Sequence, residues 1–150
     1  MKPIAEELNT IINKYRSSFQ SIDEDEFNFK PSPVKWSKKE ILGHLIDSAQ
    51  NNIRRFIVAQ YEDKPKIVYN QDKWVALSDY QHYNRDDLVQ LWWLLNKHIS
   101  HILKNIDAEM AKRESETEEL HNLKWLAEDY IKHLKHHLHQ VLNLEPIPYP

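Results

Sequence analysis

The chain has 150 residues, 41% of them apolar, and a formal net charge of -3 with histidine neutral, which suits one domain with a real core. A pI near 6.3, with no long lysine or arginine stripe, excludes an electrostatic nucleic-acid footprint and a polybasic membrane anchor and favours small, weakly charged substrates. The absence of cysteine excludes a disulfide framework, thiolate ligands and a cysteine nucleophile.

The first residues, MKPIAEELNTIINKY, lack a signal-peptide pattern, and no apolar run approaches a bilayer span, so a cytoplasmic location is expected. With Gly43 as its only glycine the chain can write neither GxGxxG nor a P-loop. What remains is four long segments of helical periodicity, without internal repeats. They predict an all-α four-helix bundle spanning residues 1–150 as a single domain.

The first segment, about residues 3 to 20, carries Ile4, Leu8, Ile11, Ile12, Tyr15 and Phe19 at three- and four-residue steps. An acidic connection follows. Ser37 and Glu40 form a capping box ahead of the second helix, about 37 to 60, whose apolar stripe runs through Leu42, Leu45, Ile46, Ala49, Ile53 and Phe56. A connection of 23 residues, EDKPKIVYNQDKWVALSDYQHYN, then leads to the third helix. A loop of that length is expected to pack over the bundle and wall a site.

Asn84 caps the third helix, about 84 to 107, which carries Leu88, Leu91, Trp92, Leu95, Ile99, Ile102 and Leu103. Trp92 lies near its apolar stripe. Trp93 points elsewhere and marks a possible homodimer contact. The fourth helix, about 122 to 143, ends before EPIPYP.

That last helix holds YIKHLKHHLHQ, four histidines in seven residues. On a helical wheel His137 falls inside the stripe of Leu123, Leu126, Tyr130, Leu134, Leu138 and Val141, and His133 falls at its edge one turn earlier. His136 and His139 fall outside and are expected to face solvent. Two ligands do not make a metal site, and an HxxxH pair also suits a polar rim. A third ligand must come from another helix. His44 shares a polar stripe with Ser48, Asn51 and Arg55, which by itself suits a solvated helix face, yet it leads the alternatives His98, His101, His82 and His121 because of the glycine next to it. Beside it, Gly43 costs roughly 1 kcal/mol in a helix interior and implies a close backbone approach.

The pieces KWSKKEILGHLIDSAQNNIRRF, YNQDKWVALSDY and EDYIKHLKHHLHQV resemble the DinB/YfiT-like superfamily, in order and spacing, over most of the chain. The resemblance implies a four-helix bundle with a divalent metal held by His44, His133 and His137. It also implies a metal-dependent hydrolase of the YfiT type, or a transferase that uses a low-molecular-weight thiol as co-substrate.

Three neutral imidazoles leave a metal its full charge and an open position, which suits activation of water or of an external thiol. Zinc is the default ion, and nickel also suits imidazole. Asp47 and Asp129, each one helical turn from a histidine of the triad, are expected to accept a free ring N–H. Ser48, Asn51 and Arg55 are expected to line the substrate cleft, with Tyr69, Gln71 and Trp74 from the long connection. Asp72 is the general-base candidate. A rival reading from another class is a non-catalytic bundle that binds or senses a small ligand.

Overall fold

The computed structural model describes residues 1–149. Its four long helices are α1 (Lys2–Gln20), α3 (Lys38–Val58), α5 (Arg85–Asn105) and α6 (Leu123–Val141), each close to its predicted bounds. Side-chain caps set the starts of α3, α5 and α6, whereas α1 has none and begins with Pro3 in its first turn. Ser37 accepts from the Glu40 amide while Glu40 reaches back to the Ser37 amide. Asn84 and Asn122 cap α5 and α6 through the amides of Asp87 and Trp125.

The helices assemble by burying the stripes that the sequence shows. α5 packs against both α1 and α3, and α6 packs against α3 and α1. Leu8, Ile12 and Phe19 of α1 meet Leu88, Trp92, Ile99 and Leu103 of α5, while Leu42, Leu45, Ile46 and Phe56 of α3 share the core with Leu134, Leu138 and Val141 of α6. Several polar groups inside are paired across helices, as burial favours. The Tyr130 hydroxyl donates to Asn96 Oδ1 at 2.7 Å, and Ser100 Oγ donates to the Ala5 carbonyl at 2.9 Å. Among the described residues no helix is long and apolar enough to cross a membrane.

The connections carry elements too short to show a 3.6-residue period. Asp23 caps a five-residue helix, α2 (Glu24–Asn28). The long connection contains α4 (Gln71–Ser78) and a 3-10 turn at Tyr80–His82, and it packs over α3 with Val75 and Tyr80 in the core. Between α5 and α6 an antiparallel hairpin pairs β1 (Glu114–Glu116) with β2 (Leu120–Asn122). Its charged sequence gives no alternating strand signal. It is held to the end of α3 and the segment beyond, where Arg113 donates to the Ala59 and Glu62 carbonyls and Ser115 to that of Pro65.

Gly43 has its cause in this packing, although the close neighbour is a side chain rather than backbone. A Cβ at Gly43 would lie 2.1 Å from Cδ2 of Tyr80, so the aromatic ring rests on the bare helix. Trp92 is fully buried. Trp93 is engaged within the chain instead of standing free: its indole N–H donates to Asn13 Oδ1 at 3.1 Å, and Arg16 and Lys97 lie over its ring.

Candidate metal centre and adjoining cleft

α3 and α6 pack side by side, which brings His44 of one against His133 and His137 of the other. One ring nitrogen from each of the three lies within 4.8 Å of the other two. His44 Nε2 and His133 Nε2 are 3.0 Å apart, and His137 Nδ1 donates to Gln140 Oε1 at 3.0 Å, leaving its Nε2 as the lone-pair donor. Trp36, just before the α3 cap, lies against the His44 ring at a centroid distance of 5.0 Å.

All three rings are held neutral. Burial, with the neighbouring His137, pushes His44 down to about 3. Burial and the surrounding histidines push His133 down to about 2, and burial also lowers His137. His98, His101 and His82 are exposed and lie outside the cluster, and His121 stacks on Trp125 at 3.6 Å.

His133 and His44 form one end of a cleft of about 550 Å³ that runs along α3 to Arg55. Ser48, Tyr69 and Gln71 line it, and Asn51 does not. Asn51 is buried and donates to the Asp47 carbonyl at 2.9 Å, and the neighbouring Asn52 takes its place in the wall. Trp74 also lies outside the cleft lining and packs edge-on against Tyr69, at 5.4 Å between ring centroids.

Asp72 lines a second cavity, of about 540 Å³, which meets the cluster at His137 and is also bordered by Trp36 and Gln71. The sequence reading missed Tyr149, Asn52 and the hairpin tip Thr117–Glu119, all of which line the first cleft. Tyr149 had as its only signal an aromatic residue among the terminal prolines, and nothing local ties it or the hairpin tip to α3.

The two carboxylates expected behind the histidines are engaged elsewhere. Asp47 accepts from the Tyr80 hydroxyl, and Asp129 accepts from the Tyr149 hydroxyl at 2.9 Å. His44 Nδ1, buried, has no hydrogen-bond partner among the described residues, and neither does Asp47 Oδ2. Burial raises the Asp47 carboxyl to about 6, against the opposing pull of the Tyr80 hydrogen bond. His136 and His139 are half-buried rather than solvated, because their Nδ1 atoms donate to the carbonyls of Ile147 and Glu145 and strap the tail beside α6.

A family model, the DinB superfamily, matches residues 7–141. The chain belongs to the DinB superfamily. Within it the chain is similar to a protein of Halalkalibacterium halodurans described as a "Putative metal-dependent hydrolase", 29% identical over 108 residues that cover 71% of this chain and 63% of that one. A Bacillus mycoides protein of the same description is 25% identical over 49% of this chain and 43% of its own length. The matches thus span less than two thirds of these relatives.

Among solved structures, YfiT from Bacillus subtilis is described as "a probable metal-dependent hydrolase with an unusual four-helix bundle topology". It superposes with a TM-score of 0.73 at 19% identity, over 95% of this chain and 87% of that one. This likeness shows the same bundle fold for this member of the DinB superfamily.

Proposed function

We propose that this DinB-superfamily chain is a metal-dependent hydrolase of small molecules, with His44, His133 and His137 as the ligands of one divalent ion, zinc or nickel. The observation that carries the reading is the convergence of three ring nitrogens from two helices within 4.8 Å. The donor set fits such an ion. Metals bind neutral imidazole, and burial keeps these rings neutral. Among the described residues no carboxylate joins the three rings, so an ion held there would keep its charge. A divalent ion held there acts as a Lewis acid that lowers the pKa of a coordinated water or thiol toward neutrality.

The chain's own groups do the rest. Trp36, packed on His44, fixes that ring, and the Gln140 side chain fixes the tautomer of His137. Ser48, Asn52 and Tyr69 supply hydrogen-bonding groups along the cleft to orient the substrate. Asp72, in the cavity that reaches His137, is the carboxylate of this reading that takes up the nucleophile's proton.

One observation favours a second reading, transfer to an external thiol. Two cavities meet the histidine cluster from different sides, one at His44 and His133 and the other at His137, with room for two organic molecules. The test is turnover by protein prepared without a nickel column and reloaded with zinc or nickel, using ester and amide substrates with and without a small thiol. Hydrolysis without thiol supports the first reading, and strictly thiol-dependent turnover supports the second. A metal-free protein with no turnover under either condition would indicate a binding module.

A further inference from the structure

A cation sits at the far end of the cleft without a counter-ion. Arg55 is half-buried on α3, eleven residues beyond His44, so about 16 Å of helix separates their α-carbons. Its Nε and Nη2 donate to the Ile67 carbonyl at 3.2 and 2.9 Å, and Nη1 reaches Asn52 Oδ1 at 3.4 Å. These contacts hold the guanidinium in place and use three of its five N–H groups. No carboxylate among the described residues comes within ion-pair distance of it, whereas Arg85 has Glu24 at 3.4 Å. Asp129, the nearest acid of the cleft wall, is hydrogen-bonded to Tyr149. An arginine removed from water is costly unless charge compensates it, and here Asp129 acts on it only from beyond ion-pair distance.

We propose that Arg55 anchors a single carboxylate group of an organic ligand whose other end reaches the histidine cluster. The inference rests on the cleft being the substrate cleft of the proposed function and adds the class of ligand. A planar guanidinium fork, already positioned by Ile67 and Asn52, matches a carboxylate in two parallel hydrogen bonds. The cleft also limits the charge of its occupant. Glu118 and Glu119 lie exposed at the hairpin tip, with Asp129 on the opposite wall, so a negative rim surrounds the one cation. Multiply charged anions are repelled there, and a monocarboxylate is the anion that one arginine neutralises. Between the two ends Leu126, Trp125 and Tyr130 offer apolar surface, which suits a hydrocarbon or aromatic spacer.

The test is a titration of the full chain with phenylbutyrate near pH 7.5, followed by protein-detected NMR, alongside its uncharged amide, phenylsuccinate and inorganic phosphate. Each is run on protein as purified and after removal of metal by a chelator. Phenylbutyrate is expected to bind both forms, and the amide, phenylsuccinate and phosphate at least about tenfold more weakly. Arg55→Gln should weaken phenylbutyrate by a similar factor and Arg55→Lys by less, while Lys104→Gln, a charge removed outside the cleft, leaves the affinity unchanged.

If Arg55→Gln fails to fold by circular dichroism, the Lys variant and the acid-to-amide ratio in the wild type carry the test. Equal binding of acid and amide, or no binding of the acid, overturns the proposal. So does loss of binding in His133→Ala with retention in either Arg55 variant, because the carboxylate would then sit at the histidines. Metal content, measured on the same samples, reports separately on the histidine site.

Discussion

The ring of Tyr80 lies against the backbone of Gly43, where a Cβ would come within 2.1 Å of it, and its hydroxyl is bonded to Asp47 one turn along α3. The segment after α4 is thereby clamped to the helix that carries His44. Alanine at 43 would gain about 1 kcal/mol of helix propensity, but the ring must shift, and overpacking of this kind costs about 1 to 3 kcal/mol. We expect Gly43→Ala to lower the urea midpoint, and to become neutral or stabilising in a Tyr80→Ala background. Urea unfolding of the four proteins of that cycle checks it.

Acid should destabilise the metal-free protein. The folded His44 and His133 titrate near 3 and near 2, below the ordinary 6.5. As pH falls below 6.5 the unfolded chain takes up protons that these rings in the fold do not. Stability therefore falls, by at most about 1.4 kcal/mol per pH unit for each ring. Asp47 acts in the opposite sense. Its folded value of about 6 lies above the ordinary 3.8, so between those values the folded state binds the extra proton and offsets part of the loss. The midpoint in urea should be lower near pH 5 than near pH 7, and Asp47→Asn should steepen that decline. A flat profile would contradict the burial of the two rings.

The buried pair of Tyr130 and Asn96 joins α6 to α5 at 2.7 Å. Tyr130→Phe leaves Asn96 Oδ1 without its donor, at a cost of about 1 to 3 kcal/mol. Thermal or urea unfolding of the metal-free protein should show that loss, with metal affinity at the histidines little changed.

The four bundle helices were legible because each carries an apolar stripe at three- and four-residue steps, and three of them also carry a capping side chain. The spacing of His133 and His137 was legible for the same reason, since a turn of helix stacks them on one face. His44 as their partner needed the family resemblance, because periodicity alone also allowed His98, His101, His82 or His121. The cleft walls were less legible. Asn51 and Asn52 differ by about 100 degrees on the wheel, and which of them faces the cleft depends on the long connection and the hairpin, neither of which is periodic.

Asp47 and Asp129 bond tyrosines 33 and 20 residues away, pairings that no local pattern encodes. Proton competition at a solvated imidazole begins near the ordinary histidine value of about 6.5. The folded rings titrate well below it, because the packing of α3 on α6 desolvates them.

Metal content decides the central claim. The full chain, prepared without a nickel column and dialysed against zinc or nickel, should retain about one ion per chain by elemental analysis. Zinc at a hundredfold excess over its dissociation constant should add about 2.7 kcal/mol to stability. Single replacement of His44, His133 or His137 by alanine should each remove most of the bound ion, whereas His136→Ala and His139→Ala should leave it in place. Equal loss in all five variants, or a wild-type chain that retains no divalent ion, would contradict the assignment of His44, His133 and His137 as its ligands.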